Sequence, residues 1–150
     1  MRVTIQRVNK ASVVVDGKIK GTIPKGLLVF VGVSEDDTED DIQWLSKKIT
    51  QLRIFSDEQG KMNRSIVGIG YDVLLISQFT LFASIKNGNR PSYTRSAEPD
   101  VAIPLYEKFH QSLEELLGKE VPTGEFGADM KISSVNDGPV TINIDSKIRE

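Results

Sequence analysis

Ser77, Gln78 and Thr80 interrupt the otherwise apolar run ISQFTLFA. Two hydroxyls and a carboxamide can each donate and accept hydrogen bonds, and a hydroxyl serves as a nucleophile only where a base lies within hydrogen-bond reach. In a strand, three such groups must be hydrogen-bonded or lie at an accessible strand end. On residue types alone, polar groups satisfied within a sheet are the plainer account. A second stretch, SSVNDGPVTINID from Ser133 to Asp145, sets Gly138-Pro139 before an alternating strand pattern. Both residues break regular pairing, so a turn is the plain account there. In TGEFGADM, small residues surround Phe126 and Met130, which suits either a pocket wall or an aromatic core anchor.

What is missing narrows the chemistry. The chain has no cysteine, which removes thiolate nucleophiles, disulfides and cysteine-based zinc sites. His110 is the single histidine and falls inside a helical pattern, where packing or surface exposure explains it better than catalysis. HExxH, Walker A and GxGxxG patterns do not occur. The acids from Glu35 to Asp41 read as the start of a helix rather than a metal site, because carboxylates stabilise a helix N-terminus. Neither a metal nor a cofactor is expected. A net charge of −2 argues against coating nucleic acid or anionic membrane through a global field. Local contact with phosphates stays open, since Lys86, Arg90 and Arg95 cluster around Tyr93 in the polar loop IKNGNRPSYTRSAEPD.

These residues need elements to hold them. The chain has 150 residues, 39% hydrophobic and 27% charged, which suits one compact domain spanning 1–150. No apolar leader opens it and no stretch approaches membrane-span length, so a cytoplasmic soluble domain is expected. RVTIQRV alternates as a strand, and ASVVVDGKIKG places Asp16-Gly17 as a hairpin turn between β-branched runs. GLLVFVGVS reads as a buried central strand. Ile42, Leu45, Ile49 and Leu52 share one face of a helix over about 38–52, with Thr38 and Asp41 resembling a capping box. RIFSDEQGKMN reads as strand, turn and return, and Tyr71 to Ser84 as one long strand. A second helix over about 101–117 carries Val101, Leu105, Phe109, Leu113, Leu116 and Leu117 on one face and stops at Gly118. Pro104 belongs in or near its first turn. The tail returns to strand. The prediction is an α+β fold with mixed sheets forming a barrel-like or two-sheet core and two main helices.

SQFTL at Ser77 to Leu81 together with NDGPVT at Asn136 to Thr141 resembles the D-aminoacyl-tRNA deacylase family, also called D-tyrosyl-tRNA deacylase. RVNKASVVVDG, GLLVFVGVS, NRPSYTRSAEP and FGADM fall in that family's order, so the resemblance covers the whole chain. It implies a homodimer that hydrolyses the ester between a D-amino acid and the 3′ end of tRNA. It also implies that Gly138-Pro139 is a cis peptide reaching into the partner's site, where main-chain atoms screen the substrate's chirality. Glycine suits that task, since a side chain would intrude on the space being measured. Ser77, Gln78, Phe79 and Thr80 are then placed at the reacting end, with oxyanion-holding N–H groups near Gln78, Phe79 and Thr80. Thr80 is read as positioning the ester rather than attacking it. Phe126, Met130 and Ala102 are expected beside the substrate, Arg7 as a brace for the Gly-Pro step, and Lys86, Arg90, Tyr93 and Arg95 against the tRNA end. A screen built from main-chain atoms implies breadth in the D-amino acid and no bar to glycine. A module that binds tRNA ends or a small acyl ligand without turnover, and a purely structural dimer, are the competing readings.

Overall fold

In the computed structural model, which describes residues 1–149, the two N-terminal β-branched runs form one strand, β1 (Arg2–Val15). Asp16 and Gly17, both at positive φ, turn it into β2 (Lys18–Ile23). That is the backbone an Asp-Gly hairpin turn requires. β3 (Gly26–Gly32) runs antiparallel to the first half of β1 and parallel to β6 (Asp72–Ser77). Paired on both edges and covered on both faces, β3 has no position for an alternating polar residue. β7 (Lys131–Asp145) lies antiparallel along the free edge of β1. The five strands form a curled sheet, and β4 (Arg53–Ser56) with β5 (Met62–Ser65) forms a small second one. The α+β, two-sheet expectation holds.

Helix α1 (Glu39–Gln51) and helix α3 (Pro99–Leu117) cover one face of the large sheet. Ile42, Leu45 and Ile49 of α1 and Phe109 and Leu113 of α3 join Val3, Ile5, Leu27, Val29 and Leu75 in the main core. The helices also meet through a buried Ser46–Ser112 hydroxyl pair at 2.8 Å. The curl of the sheet closes a second, smaller core around Val13, Leu28, Leu74 and Ile76, with Met130 and Ile132 at its margin.

Asp41 accepts from the Thr38 N–H at 2.8 Å, the helix-start role expected of the acidic cluster. It also does more. Asp41 is buried, taking Ser146 Oγ and Lys147 Nζ at 2.7 Å each. Beside it, buried Asp37 takes the N-terminal ammonium, which also donates to Ser146 Oγ at 2.7 Å. One carboxylate cluster thus ties the start of β1, the cap of α1 and the chain after β7.

Three expectations are corrected. The strand expected over Tyr71 to Ser84 stops at Ser77 and gives way to a 3-10 turn over Phe79–Phe82. Its partner β3 ends at Gly32, and there the chain crosses over: a Cβ on Gly32 would stand 3.0 Å from the Gln78 carbonyl oxygen and 3.1 Å from the Phe82 ring. α3 begins at Pro99, where a missing N–H costs nothing, which leaves Pro104 beyond the first turn. Its buried stripe is Ala102, Tyr106, Phe109 and Leu113, while Val101 is largely exposed. A four-residue helix, α2 (Ile66–Ile69), is too short for periodicity to announce.

Candidate active site

β6 delivers Ser77 to the open end of the sheet, where the Gln78 N–H donates to the Val31 carbonyl at 2.7 Å and closes the ladder. The chain then tightens into the 3-10 turn. The first N–H groups of such a turn have no partner within it. Among the described residues the Phe79 and Thr80 N–H groups are left without an acceptor. Of the three N–H groups expected to hold an oxyanion, Gln78's is therefore consumed by the sheet. The Gln78 carboxamide donates to Thr80 Oγ. That bond fixes both side chains, and among the described residues no basic group reaches the hydroxyl.

A cavity of about 500 Å³ opens beside this turn. Ser77, Gln78 and Phe79 form one wall; Ala102 and Tyr106 of α3 form another; Phe126, Met130 and Ile132 close it. The curl of the sheet brings the Met130 region across to β6, although more than fifty residues separate them in sequence. Segment 122–123 docks along the free edge of β6, with Leu75 N–H donating to the Pro122 carbonyl at 3.0 Å. Tyr106 meets the Phe126 ring edge-on at 5.6 Å. Burial, partly offset by a hydrogen bond with Thr123, pushes the Tyr106 phenol up to about 12, so it stays protonated at neutral pH.

The loop after the turn is pinned at four points. Ser84 and Ser92 exchange backbone hydrogen bonds at 2.8 and 2.9 Å, and Ser96 Oγ donates to the Phe79 carbonyl at 2.8 Å. Ala97 N–H donates to the Val33 carbonyl at 2.9 Å. The fourth is the Tyr93 ring, which stands edge-on to Phe79 at 5.0 Å and forms part of the cavity rim. Arg95 faces a neighbouring groove, its guanidinium 5.8 Å from the Phe82 ring. Lys86 and Arg90 are exposed on the same loop and touch neither space.

Gly138-Pro139 lies elsewhere. The peptide is cis, with Gly138 at φ +129°. Four residues, Asp137 to Val140, stand opposite the single residue Arg7 between the Gln6–Thr141 and Val8–Asn136 pairs, so the step bulges from the ladder. Gly138 and Pro139 are exposed and do not line the cavity of their own chain. Arg7 Nε donates to the Asp137 carbonyl at 3.1 Å, and Arg7 Nη1 to the Ile54 carbonyl at 2.6 Å. His110 Nε2 lies 2.7 Å from the Val121 carbonyl, a packing bond that makes this nitrogen the protonated one.

Thus the strand end, Ala102, Phe126, Met130 and Tyr93 come together, while Thr80 stands just behind the wall and Gly138-Pro139 stands apart. Sequence reasoning missed Tyr106, Ser96 and Ala97. The four-residue step from Ala102 to Tyr106, continued at Phe109 and Leu113, carried a signal for the first. Nothing local marked the other two.

A fold with this cavity at the end of a curled sheet has close relatives. A family model described as D-Tyr-tRNA(Tyr) deacylase matches residues 4–145, and the chain belongs to that family. It is 57% identical over its full length to the whole D-aminoacyl-tRNA deacylase of Parabacteroides distasonis, and 59% identical, again end to end, to that of Bacteroides fragilis. Among solved structures, the c-Myc DNA Unwinding Element Binding Protein superposes with a TM-score of 0.92 at 35% identity, over 97% of this chain and 98% of that one.

Proposed function

We propose that the protein hydrolyses the ester joining a D-amino acid to the 3′ end of tRNA, acting in the cytoplasm as a homodimer. The observation that carries this reading is the turn at Phe79 and Thr80. Two main-chain N–H groups without an acceptor among the described residues lie in a turn whose Phe79 lines an apolar cavity, in a chain that matches D-aminoacyl-tRNA deacylases along its whole length. An aminoacyl ester is already activated, and the neighbouring ribose hydroxyl is available to move a proton. The protein's task is then to place the carbonyl and stabilise its developing charge. The Phe79 and Thr80 N–H groups hold the oxyanion as water adds to the acyl carbon. The tetrahedral intermediate collapses, and the 3′ oxygen leaves with a proton to give tRNA and the free amino acid. Thr80 keeps its hydroxyl on Gln78 and acts as a positioning group, because among the described residues no base stands by to make it a nucleophile.

Chirality is screened by Gly138-Pro139 of the partner subunit, whose main-chain atoms complete the cavity beside the α-carbon. Two features support this: the step is exposed, and it is absent from the cavity of its own chain. Main-chain screening leaves the side chain loosely judged, so several D-amino acids and glycine are accepted. Lys86, Arg90 and Arg95 meet the tRNA backbone, and Tyr93 offers a stacking surface. Incubation with D-Tyr-tRNA followed by separation of bound and free products tests the reading. Release of free D-tyrosine in repeated turnovers is expected; stoichiometric binding with the ester intact would mean a binding module instead.

A further inference from the structure

We propose that Gly124 is a positioning residue that sets the width of the substrate cavity through Met130, an inference that rests on this cavity holding the substrate. A Cβ on Gly124 would stand 2.3 Å from Met130 Sδ, 3.3 Å from Val13 Cγ2 and 3.6 Å from Ile76 Cδ1. The absent side chain is thus the seat of the thioether. The Gly124 backbone has little freedom to retreat. The adjoining Pro122 carbonyl accepts from Leu75 N–H at 3.0 Å, and Thr123 bridges to Leu75 of β6. Val13 and Ile76 behind Met130 are fully buried core residues. With the core side closed by Val13 and Ile76, a displaced methionine side chain yields into the cavity that Met130 already lines together with Phe126 and Tyr106. Close packing converts a single methyl group into a shift of the cavity wall.

Gly124→Ala tests this. Gly124 is not at positive φ, so alanine suits its backbone. The chain contains three methionines, so [methyl-13C]methionine spectra give three assignable signals. The Met130 signal alone should move, upfield under the Phe126 and Tyr106 rings. With D-Tyr-tRNA, KM should rise about tenfold, the scale of one methylene in a hydrophobic pocket, with kcat within about twofold. Adding Met130→Ala should return KM to that of Met130→Ala alone. An unmoved Met130 signal, an unchanged KM, or a KM defect that persists in full in the double variant would each overturn the proposal. A wild-type protein inert toward D-Tyr-tRNA would instead defeat the functional reading, while the methyl signal would still decide whether Gly124 seats Met130.

Discussion

Arg7 holds the Asp137 carbonyl at 3.1 Å from Nε, and the same guanidinium holds the Ile54 carbonyl at 2.6 Å from Nη1. One partly buried cation therefore ties the bulge that carries Gly138-Pro139 to the edge of the small sheet. Arg7→Ala would orphan two carbonyls at once. Hydrogen bonds from a charged group are worth roughly 1.5–3 kcal/mol, so denaturant unfolding should show a loss of about 3 kcal/mol. Lysine cannot span both acceptors as a planar fork does, and Arg7→Lys should recover less than half of that loss. A fully stable Arg7→Ala protein would remove Arg7 as a brace.

Gly138→Ala attacks the same feature from the other side. The added Cβ would meet Arg7 Nη2 at 2.9 Å and Val140 Cγ2 at 2.9 Å, at a φ of +129° that alanine rarely adopts. Such strain costs on the order of 1–3 kcal/mol, less than a typical domain's stability, so the variant should fold. Hydrolysis of D-Tyr-tRNA should fall at least tenfold. In mixed dimers with one altered subunit, about half the activity should persist if each step serves one neighbouring site. Full activity in a purely altered dimer would exclude Gly138 from the screen.

Thr80→Ala removes the acceptor of the Gln78 carboxamide. Losing one oxyanion donor or its support costs on the order of 100-fold in rate, and a drop of that size is expected in single-turnover kcat with D-Tyr-tRNA. An acyl group trapped covalently on Thr80 would make the hydroxyl a nucleophile instead.

Lys86, Arg90 and Arg95 form no ion pair among the described residues. Replacing all three with glutamine should raise KM and reduce the slope of log KM against log salt by about 2, at roughly 0.7 per single-strand phosphate contact. An unaltered slope would take the loop away from the tRNA backbone.

Acid should unfold the protein partly through Asp41. Burial raises the pKa of this carboxyl, but hydrogen bonds from Lys147, Ser146 and Thr38 outweigh that and hold it well below the usual carboxylate range. A folded pKa below the unfolded one gives stability that is complete above the unfolded value of about 4 and drains away as pH falls below it. Asp145 is lowered as well, its burial outweighed by the hydrogen bonds from Arg2 and the Lys147 N–H together with the nearby positive charges, so it adds to the same slope. Asp41→Asn should flatten the loss of stability between about pH 5 and pH 2, read by denaturant titration. An identical slope in the variant would assign the acid sensitivity elsewhere.

Alternation revealed the start of β1 and the end of β7, an unbroken apolar run revealed β3, and a helical repeat revealed α1. Periodicity misread Phe79 to Phe82, since Phe and Thr favour strands and the close crossing at Gly32 that ends β6 is a tertiary event. It found Phe109 and Leu113 of the α3 stripe but took Val101, which is largely exposed, in place of Ala102 and passed over Tyr106, because Val101 is as apolar as Ala102. The polar break at Ser77, Gln78 and Thr80 was visible, but residue types alone favoured polar groups satisfied within a longer strand over the strand end that forms there. The pairing of that end with Met130 and Ala102 depends on the curl of the sheet, which no local pattern encodes.

The most direct test compares initial rates of ester hydrolysis on D-Tyr-tRNA and L-Tyr-tRNA under identical salt, pH and enzyme concentration. The expected result is free D-tyrosine released over many turnovers, with L-Tyr-tRNA hydrolysed no faster than its spontaneous background. Equal rates on the two, or release of L-tyrosine alone, would contradict the chirality screen at the centre of this mechanism.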